Sequence, residues 1–339
     1  MCLALSMRNR DHYFGRNLDY DKGYGQQVVI TPRHHPFEFR HAGATDSHAA
    51  IIGTAAIVNG HPLYFEGANE DGLCIAGLLF SGSSRYNPPS GKRGDVASHE
   101  FIPWVLTQCS DTSEFLSIAE DLNITNEAFS VQLPPSPMHW MVSDKKRDLV
   151  VEQVSSGLNI HENPTCVLTN NPPFEYQMMN LNNYMGLSSG DVINSFSKKI
   201  NLWNYSRGMG ALGLPGDLSS QSRFVKAAFT ASNSICNDSE EDSVTQFMHI
   251  LKSAEQQKGC VRIGEGYEIT QYSSCINADR GRMYFTTYGN SRISVVDMNK
   301  EDLDSDDPIS FPMDDRQDFD ELNACVKCGH GRRSPSCRP

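Results

Sequence analysis

Short apolar, β-branched runs broken by tight polar turns recur along most of this chain, and that rhythm restricts the fold more than any other feature. Residues 1–8 and 12–20 flank Asn9-Arg10-Asp11, which predicts a hairpin. Val28 to Thr31 and Ile51 to Val58 read as strands, and Leu73 to Phe80 follows the turn signal Asn69-Glu70-Asp71-Gly72. His139 to Ser143 and Leu149 to Val154 predict a second hairpin around the charged turn 144–148. Cys166 to Thr169 reads as one more strand. Tyr267 to Met298 is strand-rich, with turns at residues 278–281 and 288–291. Tight turns join antiparallel neighbours, whereas parallel strands need long crossovers. The expected class is therefore α+β with layered antiparallel sheets, not a doubly wound parallel sheet.

Helical spacing interrupts this rhythm. Phe101, Trp104, Val105 and Gln108 predict a helix with Pro103 in its first turn, where proline is tolerated. Asp111 and Glu114 predict a capping box ahead of a second helix. Ser219 to Ala231 and Asp242 to Lys252 predict two more. No repeat of 20–50 residues is present. After Met313 the chain turns acidic and then Gly-, Arg- and Cys-rich. Residues 2–313 are expected to form one domain and 314–339 a poorly ordered tail.

The 29 Lys and Arg stand against 41 Asp and Glu, which argues against a nucleic-acid partner. No apolar run reaches the roughly 18–20 residues a membrane helix needs. The N-terminus lacks a secretory pattern, and cysteines from Cys2 to Cys275 are scattered singly, so the expected location is cytoplasmic with reduced thiols. Gly208-Met209-Gly210-Ala211-Leu212-Gly213 matches a dinucleotide pattern but lacks the strand and helix that must flank it, so it reads as a flexible loop. Cys325 and Cys328, with His330 and Cys337, lack the second well-spaced pair of a structural zinc site. His99-Glu100 has no second histidine four residues on. No metal and no cofactor is expected.

Cys2 is the residue that carries chemistry. Removal of Met1 would place a thiol and an α-amine on one carbon. Their reference pKa values, about 8.5 and about 7.7–8.0, are both close to neutrality. An N-terminal amine can then activate its own side chain as a nucleophile. From position 2 alone the favoured reading is a merely tolerant position, since activation requires specific neighbours. Its hairpin partner strand carries Arg16 and Asp19, a cation able to favour a thiolate and a carboxylate able to hold an ammonium. Taken locally, Asn170 is a turn residue ahead of Pro172, and Arg223 is a solvated residue near a helix start.

Met1-Cys2, the run Tyr13 to Asp19, Leu168 to Pro172, Leu214 to Ser220 with Ser222-Arg223-Phe224, and Val296 to Lys300 together resemble the choloylglycine hydrolase family. That family contains conjugated bile acid hydrolases and penicillin V acylases. The resemblance covers about residues 2–313; the tail does not share it. It implies the four-layer αββα sandwich of N-terminal nucleophile hydrolases and hydrolysis of glycine- or taurine-conjugated bile acids. It implies Cys2 as nucleophile with its own amine as base, Arg16 and Arg223 as a guanidinium pair, Asp19 orienting the amine, and Asn170 as an oxyanion donor. Residues 176–188 resemble a subunit-assembly segment and imply a homotetramer. One matched position departs. After Ala76-Gly77-Leu78 the bile acid hydrolases usually carry Asn and the penicillin V acylases Tyr, but this chain has Leu79. Its backbone N–H is the implied second oxyanion donor, while a polar side-chain contact to the substrate is lost. Tyr20, Tyr24, Phe65 and Met138 are candidates to line the apolar pocket a steroid needs, with core packing the equal alternative. The runner-up activity is a penicillin V acylase or another acylase of aromatic or fatty amides. A relative that binds steroids or acyl groups without catalysis is a third reading, against which the complete set of polar residues argues.

Overall fold

A computed structural model describes residues 1–91 and 94–325. Fourteen strands form its two large sheets. They are β1 (Cys2–Arg8), β2 (His12–Tyr20), β3 (Gln27–Thr31), β4 (Ile51–Val58), β5 (His61–Asn69), β6 (Cys74–Leu79) and β7 (Met138–Ser143). They continue with β8 (Asp148–Val154), β9 (Gly157–Glu162), β10 (Val167–Leu168), β11 (Ile269–Asn277), β12 (Arg282–Thr287), β13 (Ser294–Asp297) and β14 (Ile309–Pro312). One sheet runs β10-β1-β2-β11-β12-β13 and the other β9-β8-β7-β6-β5-β4-β3-β14. Every pairing in both is antiparallel, as the tight turns predicted.

Period-two alternation explains the layering. In the eight-stranded sheet Cys74, Ala76, Leu78, Met141 and Val150 join the core between the sheets. Their neighbours Ile75, Trp140, Val142 and Val151 join a second core under the helices α1 (Phe101–Gln108) and α2 (Thr112–Ile118). Three helices lie beyond α2, namely α3 (Phe174–Leu181), α4 (Ser220–Asn233) and α5 (Glu240–Lys252). On the six-stranded sheet Leu3 and Leu5 share a face with Asn17, whose amide donates to Leu251 O of α5 at 2.9 Å. Helices α4 and α5 cover that face. The layers are thus helix, eight strands, six strands, helix, the αββα sandwich the resemblance implied.

Details refine the expectations. Asp111 caps α2 by accepting from Ser113 N and Glu114 N, but Glu114 reaches back to Ser110 N at 2.8 Å rather than to Asp111 N, so the box closes one residue early. Helix α5 starts at Glu240, two residues before the expected start, because Ser239 accepts from Asp242 N and the acidic first turn complements the helix dipole. Strands β5, β9 and β14 and helix α3 carry no clear signal. Strand β5 mixes Pro62, Glu66 and Gly67 into its pattern, and β9 and β14 are half-exposed edges. Past Met313, Asp314 O accepts from Thr287 Oγ1 at 3.2 Å and Asp315 accepts from Gly289 N at 2.7 Å. The first residues of the expected tail are therefore bonded to the turn after β12. Cys328, His330 and Cys337 lie outside the described residues. The run 208–213 sits in a loop with one short 3-10 turn, not between a strand and a helix.

Candidate active site

The β1–β2 hairpin pairs Cys2 with Leu18 and Ala4 with Arg16, so the Cys2 and Arg16 side chains share one face of the six-stranded sheet. That face looks at the second sheet: Arg16 Nη1 donates to Gly77 O at 2.6 Å and to Phe65 O at 3.0 Å. Gly15 lets β2 come this close to β11, since a Cβ there would lie 2.0 Å from Ser274 O. Asp19, three residues from Arg16, points to the other face. There Thr270 Oγ1 donates to Asp19 Oδ1 at 2.6 Å, and Arg223 Nη1 lies 3.7 Å from Oδ2. A bulge between Thr270 and Tyr272 breaks the β2–β11 register at this point. It lets Thr270 serve Asp19 while Tyr272 donates to Glu66 Oε2 at 2.7 Å on the opposite face.

Two distant segments complete the cluster. Strand β10 pairs with β1 and delivers Asn170 just past its end. Cys2 N donates to Asn170 Oδ1 at 2.6 Å, and Asn170 Nδ2 donates to Leu79 O at 2.7 Å. Phe80 N donates to Pro137 O, so the bonded pairs fall on either side of Leu79, and its own N–H and C=O turn away from β7 toward Asn170. Ser219 caps α4, and the first turn of that helix presents Arg223. Arg223 donates to Cys2 O at 2.8 Å, to Asn170 Oδ1 at 3.0 Å and to Leu218 O at 3.1 Å. Cys2, Arg16, Asp19, Asn170 and Arg223 are all brought together, although two of the five are locally unremarkable in sequence.

All four charged or ionisable partners sit away from water. Burial works against the Arg16 charge, but Cys2, Tyr272 and Glu66 outweigh it and hold the guanidinium above its ordinary value. Burial pushes the Asp19 carboxyl up, against the pull of Arg223 and the Thr270 hydroxyl. Burial also lowers Arg223, and it lowers the N-terminal amine below its ordinary value against Cys2 and Asp19. That amine belongs to Met1; it donates to Asp19 O at 2.9 Å and pairs with the buried carboxylate of Glu268.

A cavity of about 300 Å³ opens from Cys2 and Arg16 to the surface. Leu79, Tyr20, Tyr24, Phe65 and Met138, the expected lining residues, all face it. Tyr20 and Tyr24 rings lie 5.0 Å apart and Tyr24 and Phe65 5.5 Å apart, an aromatic cluster at one wall. Ile102, Phe129 and Leu133 also line it and carry no local sequence signal, because loop and helix residues approach it from far in sequence. Glu66, Glu268 and Thr270 likewise reach the cluster only through tertiary contacts. A carboxylate inside an apolar strand, as at Glu66, was the one available signal.

A buried cysteine beside two guanidiniums, an amide and a carboxylate, at the floor of an apolar cavity, suits attack on an uncharged carbonyl. The model of linear amide C–N hydrolases of the choloylglycine hydrolase family matches residues 2–311. The chain belongs to this family. It is an amidohydrolase of the choloylglycine hydrolase type. It is 49% identical over 324 residues to a bile salt hydrolase/transferase of Lactiplantibacillus plantarum, covering 95% of this chain and 100% of that protein. It is similar to the conjugated bile acid hydrolase of Clostridium perfringens, with a TM-score of 0.87 and 31% identity over 95% of this chain and 100% of that one. Penicillin V acylase from Agrobacterium tumefaciens shares the fold, with a TM-score of 0.70 at 19% identity over 91% and 90% of the two chains.

Proposed function

We propose that this choloylglycine hydrolase cleaves the amide bond of glycine- or taurine-conjugated bile acids with Cys2 as nucleophile, in the cytoplasm. The observation that carries the reading is Cys2 set on the wall of an apolar cavity beside Arg16, with Asn170 and Arg223 bonded to its backbone from behind. The names of the relatives from Lactiplantibacillus plantarum and Clostridium perfringens support the substrate class. With Met1 in place the Cys2 nitrogen is an amide that donates to Asn170 and has no basic lone pair. Loss of Met1 turns it into an amine. An amine in that buried place is biased toward its neutral form, as the Met1 amine is, and can take the thiol proton.

The sulfur then attacks the scissile carbonyl. The Asn170 amide, which has a second N–H beyond the one given to Leu79 O, and the Leu79 N–H stabilise the tetrahedral oxyanion. The ammonium returns its proton to the departing nitrogen of glycine or taurine, leaving a thioester. Water, deprotonated by the same amine, releases the bile acid. Arg16 keeps a fixed positive charge beside the sulfur, and Asp19 with Thr270 braces the amine. The steroid body fits the cavity walls of Tyr20, Tyr24, Phe65 and Met138. No step calls on a metal or cofactor. A homotetramer is part of the reading, because the segment after α3 exposes Ile193 (88%), Phe196 (80%) and Trp203 (73%) to solvent in one chain.

Release of free amino acid from glycocholate and taurocholate, with penicillin V in parallel, tests the substrate. Hydrolysis of penicillin V alone would overturn it. Intact-mass measurement of the active preparation tests the base: Met1 should be absent, and full activity with Met1 retained would overturn the mechanism.

A further inference from the structure

His139 on β7 is fully buried and touches nothing in the substrate cavity, yet it contacts the chain on both sides of the proposed oxyanion hole. Its ring stacks on Phe80, with centroids 4.1 Å apart and planes 5° from parallel. Phe80 directly follows Leu79. Its Nε2 lies 2.8 Å from Thr169 O, and Thr169 directly precedes Asn170. A carbonyl can only accept, so Nε2 carries a proton. Its Nδ1 lies 2.9 Å from Glu152 Oε1, and the Glu152 carboxylate also accepts from Phe174 N at 3.1 Å, at the start of α3. The Nδ1–Glu152 contact holds one further proton, on the ring or on the carboxyl. Either way the pair is net neutral, and the ring is held in one orientation.

We propose that His139, locked by Glu152, is a positioning residue that sets the distance between the two oxyanion donors. This rests on the assignment of Asn170 and the Leu79 N–H to the oxyanion. Those donors come from different sheets: Leu79 ends β6 and Asn170 follows β10. The Asn170 Nδ2 to Leu79 O bond links them directly at 2.7 Å, but a single bond leaves a hinge. His139 adds a second tie on the far side of both residues. Thr169 is held further by the start of α4, where its Oγ1 donates to Ser220 O at 3.0 Å. A donor shift of about 1 Å can cost roughly a hundredfold in rate without loss of binding.

Steady-state kinetics on taurocholate with four proteins test the idea. Asn170→Ala should lower kcat by about a hundredfold or more. The double variant His139→Phe/Glu152→Gln keeps the ring stack and leaves no unpaired buried charge, but loses the Thr169 bond. Its kcat should fall roughly ten- to a hundredfold with KM within about twofold. Glu152→Gln alone should stay within about threefold of wild type. Its amide donates to Nδ1, its carbonyl accepts from Phe174 N, and Nε2–H remains on Thr169. A folded double variant with wild-type kcat, or with KM alone changed, overturns the proposal while the substrate reading survives. An unaffected Asn170→Ala overturns the oxyanion assignment itself. ¹⁵N NMR of the wild-type ring gives a test independent of any variant's folding: Nε2 should be protonated, and an unprotonated Nε2 overturns the clamp.

Discussion

The β1–β2 hairpin ends in two buried ionic clusters that are built differently. At the turn end, Arg8 donates to both Asp148 oxygens, at 2.8 and 2.9 Å, and to Asp144 O at 2.6 Å. Ser143 Oγ donates to the same Asp148, and His12 Nε2 lies 2.8 Å from that hydroxyl. Both Asp148 oxygens are bonded, as a buried carboxylate requires. At the open end, Arg16, Asp19 and Arg223 are each 1% exposed, against 26% for the Arg8 side chain, yet Arg16 Nε and Asp19 Oδ2 have no hydrogen-bond partner among the described residues. At the turn end the ion pair itself is saturated and spends its bonds on the fold, and the atom left open is the ring nitrogen Nδ1 of His12. An unsaturated cluster beside a cavity keeps charge and donors available for a reacting group.

The largest effect should come from Cys2→Ser. The hydroxyl is a far weaker nucleophile near neutral pH, so kcat/KM on glycocholate should fall at least about a thousandfold. Thermal unfolding should be nearly unchanged, because the backbone bonds of residue 2 persist. Asp148→Asn should do the reverse. It leaves Arg8 with a neutral partner and should cost about 2–4 kcal/mol in denaturant unfolding, with kcat per folded molecule unchanged. Loss of activity at constant stability in this variant would erase the distinction between the two ends.

Titration separates the ends further. Burial, then Arg8, lowers His12 from 6.5 to about 4. Between those values the unfolded chain binds more protons than the folded one, so stability falls as pH drops through the window and is fully present above it. The contribution is about 3–4 kcal/mol. His12→Gln should flatten the loss of unfolding free energy between pH 6.5 and 4; an unchanged slope would assign that loss elsewhere. The smallest effect concerns the cavity. Leu79→Asn should raise catalytic efficiency on taurocholate and glycocholate by a few-fold to tenfold, since one recovered hydrogen bond is worth about 0.5–1.5 kcal/mol. Efficiency on penicillin V should change little or fall. Equal changes on all three substrates would mean that residue 79 does not meet the leaving amino acid.

Much of this molecule is legible in local sequence. Antiparallel pairing follows from tight turns, and the inward and outward faces of β6, β7 and β8 follow from alternation, because both are set by neighbours a few residues apart. Cys2, Arg16 and Asp19 come together for the same reason: one hairpin spans them. Asn170 and Arg223 are different. Their surroundings give only a turn before proline and a helix start, and family resemblance alone marked them. Their places beside Cys2 depend on β10 joining the edge of β1 and on α4 docking over it, contacts across more than 160 positions that no local pattern encodes. The bulge that turns Thr270 toward Asp19, the Glu66 partner of Arg16, and the His139–Glu152 clamp belong to the same group. The chain alone determined the strand rhythm, the helices with strong caps and the position of the thiol. Tertiary packing decided which buried charges met each other and which were left facing a cavity, because burial makes an electrostatic contact matter and burial is a property of the whole fold.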